Sequence, residues 1–190
     1  MPGIIISTTG STSATSVNLF TAALIGPYQL QDLIAPWNTL CLPNGWQNIS
    51  DAPNRNNCNN TTYKHAEGDL HNLWLAVSNI NFSRSNHLFG EIPQGQGESR
   101  FSFCPLYVRT YSPNDIVIEP RASVKGNIAR SLFYMNDEYG FDLRGMLPML
   151  KEWNRLDPPN EHEHWRNERI FALQGTRNKF IDNYHIGNSL

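Results

Sequence analysis

The residues best suited to chemistry lie in two neighbouring stretches, residues 67–74 and 79–86. The first carries an aspartate and His71 around an apolar run, and the second carries Asn81 and Arg84. A lone histidine beside apolar residues is more often a buried group with a backbone partner than a catalytic one. Asp and Asn oxygens, however, are hard ligands that suit Mg²⁺ or Ca²⁺, and arginine pairs well with phosphate oxygens. The two stretches together could therefore hold a cation and a phosphate.

The overall charge limits how nucleic acid could be bound. The chain has 190 residues with 15 basic and 17 acidic side chains, a formal net charge of −2. A protein that holds nucleic acid by global attraction is expected to be basic. A nucleic-acid site here must therefore be a local patch or depend on a bound cation. The length fits one domain with a single core.

The chain changes in character near residue 62. Residues 1–62 are rich in Ser, Thr, Asn and Pro without a sustained apolar period, which is typical of a loop-rich segment. Residues 63–190 carry consistent helix and strand signals, and we expect both parts to belong to one domain.

Apolar residues recur at helical spacing in four places. The predicted helices are Leu70–Val77, Ser123–Glu138, Met146–Leu156 and Asn160–Leu173. The predicted strands are Phe101–Val108 and Asp115–Ile118. Because no βαβ rhythm is present, we predict an α+β fold that is mainly helical with a small antiparallel β portion.

Several ordered segments resemble the bacterial endonuclease I family. The main block is Asp69–Trp74, followed by Asn81 and by Arg84–Asn86. Further segments follow in the family's order, namely Glu119–Pro120, Val124–Arg130, Phe133–Met135, Trp153–Asn154, Asp157–Pro158, Arg166–Ile170 and Gln174–Asp182. Any one of them would be weak support, but chance does not produce so many in order. The resemblance extends from about Tyr63 to Asp182.

The resemblance implies a secreted, metal-dependent nuclease with little sequence preference, built around a ββα-metal finger. In that motif a Glu-His pair on a strand binds the metal and deprotonates a water, and an Asn on the following helix completes the protein ligands. By position, Asn81 matches this metal-binding Asn. Arg84 and Asn86 belong to the same block and are expected to face the phosphates.

The Glu-His pair of the family is missing from this chain. Where the pair is expected, residues 31–37 read Gln-Asp-Leu-Ile-Ala-Pro-Trp. One alignment puts Asp32 in the place of the Glu and Leu33 in the place of the His. The other puts Gln31 and Asp32 there. Asp32 is therefore a candidate metal ligand, but a leucine cannot accept a proton.

Three explanations of the missing pair stay open. In the first, the chain is an active nuclease whose base is Asp32, His65 or His71, although the family histidine that His71 matches is structural in character. In the second, the chain is a silent member that only binds nucleic acid. Alternatively, residues 1 to about 60 do not represent the native N-terminus of the family.

A group of basic residues near the end of the chain offers a second phosphate-binding candidate. Its members are Arg155, Arg166, Arg169, Arg177 and Lys179. Intervening glutamates favour a solvated helix face for most of them. Arg177 lies in the terminal motif of the family and is predicted to bind nucleic acid.

The resemblance also implies the cofactor, the partners and the location. We expect Mg²⁺ or Ca²⁺ as the cofactor, DNA as the substrate with RNA as a further one, no membrane partner, a monomer, and a periplasmic or extracellular location. The apolar run at residues 17–25 is too short for a membrane span and lacks the flanks of a signal peptide. Either the chain is not exported or Met1 is not its natural start.

Three cysteines, Cys41, Cys58 and Cys104, allow one disulfide with a free thiol, or no disulfide. The family places a cysteine near Cys104, and Cys58 is its expected partner if the chain is exported.

Overall fold

The computed structural model describes residues 20–24, 65–66, 68–77, 80, 83–84, 87–100, 106–112 and 115–190. Within these residues the chain forms two small sheets followed by a helical half. The strands are β1 Phe20–Leu24, β2 Leu73–Val77, β3 Leu88–Phe89, β4 Glu98–Ser99, β5 Leu106–Ser112 and β6 Asp115–Pro120. The helices are α1 Lys125–Tyr139, α2 Leu147–Leu156, α3 Glu161–Gln174 and α4 Lys179–Asp182, with 3-10 turns at Ala122–Val124 and Tyr184–Ser189. This arrangement agrees with the predicted α+β class.

The three long predicted helices are confirmed, and local signals explain where they begin or end. α1 ends at Gly140, which adopts a left-handed φ of 71° and donates its N–H to the last carbonyls of the helix. α2 carries a proline in its first turn, where no intrahelical donor is lost. α3 begins with a capping box in which Asn160 and Glu163 satisfy each other's backbone N–H groups.

The predicted helix Leu70–Val77 is wrong, because residues 73–77 form β2. This strand pairs antiparallel with β1, with Leu73 opposite Leu24 and Val77 opposite Phe20. A short apolar run can satisfy either period, and here pairing with a distant strand decides the outcome.

The second sheet has the order β3-β6-β5-β4. The β4–β5 and β5–β6 pairs are antiparallel as predicted, but β3 runs parallel to β6 over two residue pairs. The predicted strand Asp115–Ile118 is confirmed and continues to Pro120. Of the predicted strand Phe101–Val108, residues 106–108 belong to β5, and residues 101–105 lie outside the described residues.

The core lies between this sheet and α1, and α2 packs against α1. Its fully buried members include Ile118 on the sheet, Leu132 and Phe133 on α1, and Leu150 and Trp153 on α2. Gly126 permits the close crossing of these helices, since a Cβ at this position would lie 1.8 Å from the Asp157 carbonyl oxygen.

Lys125, at the start of α1, ties the sheet to the helices. Its ammonium lies 2.6 Å from a Glu119 carboxylate oxygen and 2.9 Å from one of Glu91. Burial alone would lower the pKa of Lys125, but the hydrogen bonds to Glu119 and Glu91 outweigh it and raise this pKa. No helix in the described part of the chain is long and apolar enough to cross a membrane.

Candidate functional site

Asp69 is the centre of a buried polar cluster at the start of the family block. The side chain is 4% exposed, and its Oδ2 accepts hydrogen bonds from the hydroxyls of Tyr134, at 2.9 Å, and Tyr139, at 2.7 Å. Burial, with the neighbouring carboxylate, raises the pKa of both tyrosines, so both hydroxyls stay protonated donors near neutral pH. Asp69 is thus fixed to α1.

The other oxygen of Asp69 binds the backbone before β2 and the last residue of α3. Oδ1 accepts hydrogen bonds from the His71 backbone N–H and from Gln174 Nε2, each at 2.8 Å. Gln174 also accepts a hydrogen bond from the Leu70 backbone N–H through its own oxygen, at 3.0 Å. One carboxylate therefore joins the entry to β2, the helix α1 and the end of α3. Sequence reasoning missed Tyr134, Tyr139 and Gln174 as its partners.

His71 is fully buried beside this cluster. Its Nε2 lies 3.2 Å from the Thr176 carbonyl oxygen, and its ring centroid is 4.5 Å from that of Tyr134. Burial lowers the pKa of His71, and the hydrogen bond to the Thr176 backbone carbonyl only partly offsets this. A neutral imidazole that donates from Nε2 to a backbone carbonyl positions the two chain segments that it joins. The catalytic role assigned to His71 stays a prediction.

Arg166 points into the protein rather than to solvent. It donates hydrogen bonds to the backbone carbonyls of Leu70 and Leu73, and its guanidinium carbon lies 4.0 Å from the centroid of a Trp74 ring. Burial lowers the pKa of Arg166 to about 10. Trp74 in turn donates to Ser131 Oγ at 3.2 Å. Arg166 is therefore engaged by the protein itself, whereas the sequence left open a phosphate-facing strip or a solvated helix face for this group.

Two anchored residues flank the predicted metal ligand Asn81 in the sequence. Ile80 is partly buried and packs against the core. Arg84 is 8% exposed, with its guanidinium carbon 5.0 Å from the Phe89 ring centroid. Such burial leaves Arg84 little surface for phosphate contact, and its assignment to nucleic-acid binding stays a prediction.

Arg177 lies on the surface, as its predicted role requires. Its guanidinium is paired with Glu168, with one N–O distance of 2.7 Å, and lies 4.4 Å above the Phe171 ring centroid. The hydrogen bonds that Arg177 donates to Glu168 raise the pKa of Arg177. A phosphate that binds Arg177 would compete with this carboxylate.

The remaining predicted site residues, Asp32, Asn81 and Asn86, lie outside the described residues, as do Leu33 and the three cysteines. His65 is described and exposed. Within the described part of the chain, no group of three or more His, Cys, Asp or Glu side chains could hold a metal ion. The metal site and the ββα-metal finger stay predictions.

The sequence model of the endonuclease I family matches residues 41–185. Among similar proteins, the "Periplasmic deoxyribonuclease" of Aeromonas hydrophila is 34% identical over 130 residues, covering 67% of this chain and 53% of that protein. An "Extracellular deoxyribonuclease" of the same species is 35% identical over 133 residues, covering 67% of this chain and 56% of the relative. The "Extracellular ribonuclease" of Bacillus subtilis (strain 168) is 33% identical over 140 residues, covering 64% and 46%.

The chain spans about half the length of these curated relatives. The family match nevertheless includes the Asp69 cluster, the buried helices and the terminal segment with Arg177. The resemblance inferred from the sequence blocks is thereby confirmed, and the chain belongs to the endonuclease I family.

Proposed function

We propose that this chain is a nuclease that hydrolyses phosphodiester bonds in DNA, and also in RNA, with little sequence preference. Family membership supports the proposal, and relatives at 33–35% identity are named deoxyribonuclease or ribonuclease. The same names support a periplasmic or extracellular location. We further propose that the protein acts as a monomer.

The observation that carries the proposal is the anchoring of the family block. Asp69 fixes the entry to β2 through four hydrogen bonds. Beyond the strand, Ile80 packs on the core and Arg84 is buried against Phe89. A catalytic segment must be held by rigid elements, because small misplacements of reacting groups cost large factors in rate.

The expected cofactor is Mg²⁺ or Ca²⁺, held by Asn81 and Asp32. Both offer hard oxygen ligands, which suit these cations, although two protein ligands make the affinity modest. A bound cation would neutralise charge on the scissile phosphate. Arg177, exposed at the surface, would contribute to holding the nucleic acid.

The missing Glu-His pair favours a second candidate function. With Leu33 in the place of the family His, the chain would bind nucleic acid through the retained fold yet cleave it poorly. Loss of a general base typically costs about two to four orders of magnitude in rate. We therefore expect cleavage by the native chain to be weak.

A plasmid-nicking assay distinguishes the two functions. The native chain is compared with the double variant Asp32→Glu, Leu33→His, each with Mg²⁺ and with a chelator. We expect weak nicking by the native chain, a large gain in the double variant, and none with chelator. Asn81→Ala in the double variant should abolish the gain and reduce Mg²⁺ binding measured by isothermal titration.

The other outcomes are equally informative. Vigorous chelator-sensitive cleavage by the native chain would mean that the base has been misplaced. Retardation of DNA at low salt without cleavage by either protein would support the silent binding function.

A further inference from the structure

The outer face of β5 carries an exposed row of aromatic and basic side chains. Along this strand, Leu106 and Val108 face the core and are 5% and 4% exposed. Tyr107 and Tyr111 are 42% and 50% exposed, and Arg109 lies between them in the alternation. Alternate side chains of a strand point to the same face, which places Tyr107 and Arg109 together on the outer face. The register is irregular between Thr110 and Ser112, and Tyr111 is assigned to the outer face by the Arg109 guanidinium that lies over its ring. We call Tyr107, Arg109 and Tyr111 the Tyr-Arg-Tyr row.

The row is ordered by contacts among its own members and with β-sheet neighbours. The Arg109 guanidinium carbon lies 4.2 Å above the Tyr111 ring centroid. Gln96 accepts a hydrogen bond from Arg109 Nη1. The guanidinium covers one face of the Tyr111 ring, and the two contacts together restrict the Arg109 side chain.

The charge of the row is positive and open to an anion. Among the side chains that the structure describes, no carboxylate lies within ion-pair distance of Arg109. Glu119, opposite Tyr107 in the sheet, is already engaged by Lys125 and by the Ile92 backbone N–H. The neighbouring carboxylate therefore does little to repel a phosphate.

We propose that the Tyr-Arg-Tyr row binds a single-stranded segment of nucleic acid by stacking its bases. This inference rests on the proposed nuclease function and adds a substrate form and a second contact surface to it. Unpaired bases stack on exposed aromatic rings without sequence preference, and arginine adds cation–π and phosphate contacts. Residues four apart on a strand are about 13 Å apart, so bases stacked on Tyr107 and Tyr111 leave the backbone between them beside Arg109.

Paired bases in a duplex cannot stack on these rings, because their faces are already covered. The row should therefore discriminate single strands from duplexes. It would bind frayed or looped DNA and single-stranded RNA more tightly than fully paired DNA.

The test measures binding in a chelator, so that cleavage does not contribute. The full chain is titrated with a fluorescent oligothymidylate of about 16 nucleotides and with a blunt duplex of the same length. Tyr107→Ala and Tyr111→Ala should each weaken binding of the single strand about fivefold or more, and Tyr107→Phe and Tyr111→Phe should retain most of it. Duplex binding should stay unchanged. Thermal unfolding checks that each variant folds.

Trp165→Ala is the matched control, since Trp165 on α3 is 60% exposed but has no place in the row. Its single-strand binding should equal that of the native chain. Equal losses in Trp165→Ala and Tyr111→Ala, or no loss in either tyrosine variant, would overturn the proposal. Cleavage is measured separately. If the tyrosine variants nick plasmid DNA and bind the single strand as the native chain does, this inference alone is rejected. If the tyrosine variants lose single-strand binding but no form of the chain cleaves, only the nuclease function is rejected.

Discussion

The two faces of helix α3 use the same residue types for opposite purposes. On the inner face, Glu163 is 1% exposed and binds both Nε and Nη2 of the buried Arg130. On the outer face, Glu168 pairs with Arg177, and both side chains are in contact with solvent. In each pair the guanidinium donates two hydrogen bonds to the carboxylate. The two pairs differ in how far they are exposed to solvent.

The inner pair belongs to a larger network of hydrogen bonds. Arg130 also donates to Asn154 Oδ1 at 3.2 Å and to the Asp157 carbonyl at 2.7 Å. Asn167, one further turn along α3, exchanges hydrogen bonds with the backbone of Asn178. The comparison teaches that a charge pattern along a helix does not itself separate structural from binding residues; burial and the number of partners do.

The largest loss of stability should follow from breaking the inner pair, Glu163 with Arg130. Glu163→Ala leaves the Arg130 guanidinium buried without its carboxylate, which typically costs about 3–5 kcal/mol. Loss of the capping box adds about 1 kcal/mol. Chemical denaturation should show the loss, and Glu168→Ala, on the same helix, should leave the denaturation midpoint near that of the native chain.

A double variant sharpens this result. Arg130→Met with Glu163→Leu removes both charges and should recover much of the lost stability, because no buried charge is left unpaired. Equal denaturation midpoints for Glu163→Ala and Glu168→Ala would mean that burial does not distinguish the two faces.

An intermediate effect concerns His71, which contacts the chain just beyond α3. Its pKa is lowered in the folded state by burial, so below about pH 6.5 the unfolded chain takes up a proton that the folded chain does not. The free energy of unfolding should therefore fall as the pH drops from about 7 to about 5. His71→Gln should flatten this dependence while lowering stability overall.

His87 provides the control for this measurement. Its pKa is also lowered by burial, with smaller contributions from Arg84 and Arg100, but its side chain is only partly buried. His87→Gln should flatten the pH dependence less than His71→Gln does. An unchanged slope in His71→Gln would show that His71 takes up its proton without cost in the fold.

The smallest effect on stability, and a distinct effect on binding, is expected at the outer pair. Arg177→Ala should leave thermal unfolding unchanged but weaken DNA binding in a chelator, with the salt dependence reduced by about one phosphate contact. Glu168→Ala should strengthen binding, because it removes the carboxylate that competes with phosphate. Identical binding by both variants would exclude Arg177 from the nucleic-acid surface.

Local sequence signals predicted the helical half of the fold well. α1 and α2 carry apolar stripes, and glycine or an Asn cap marks the ends of α1 and α3. β2 was wrongly predicted as a helix because Leu70, Leu73, Trp74 and Val77 fit the helical period. Its partner β1 lies some fifty positions earlier, and no local pattern reveals pairing at that distance.

The same limit applies to the candidate site. The sequence identified Asp69 and the tyrosine-containing segment of α1 as segments that resemble the same family. It did not identify them as hydrogen-bonding partners. It also placed Arg166 with the surface arginines, because its neighbours on α3 are glutamates. Only its packing against Trp74 and its hydrogen bonds to the Leu70 and Leu73 carbonyls show that this arginine is turned toward the protein.

The pairing of β1 with β2 has a consequence for how this part of the protein could vary during evolution. Leu24 and Leu73 lie opposite each other, so the pairing brings together the two ends of the chain between them. The entropy of closing a flexible loop rises only with the logarithm of its length, by about 0.6 kcal/mol for each doubling. The last part of this stretch is fixed, because Ala66 is buried in the core and Asp69 is held by Tyr134 and Tyr139. Insertions and deletions before Ala66 therefore cost little in closure entropy, whereas those between Ala66 and Leu73 would displace the Asp69 cluster.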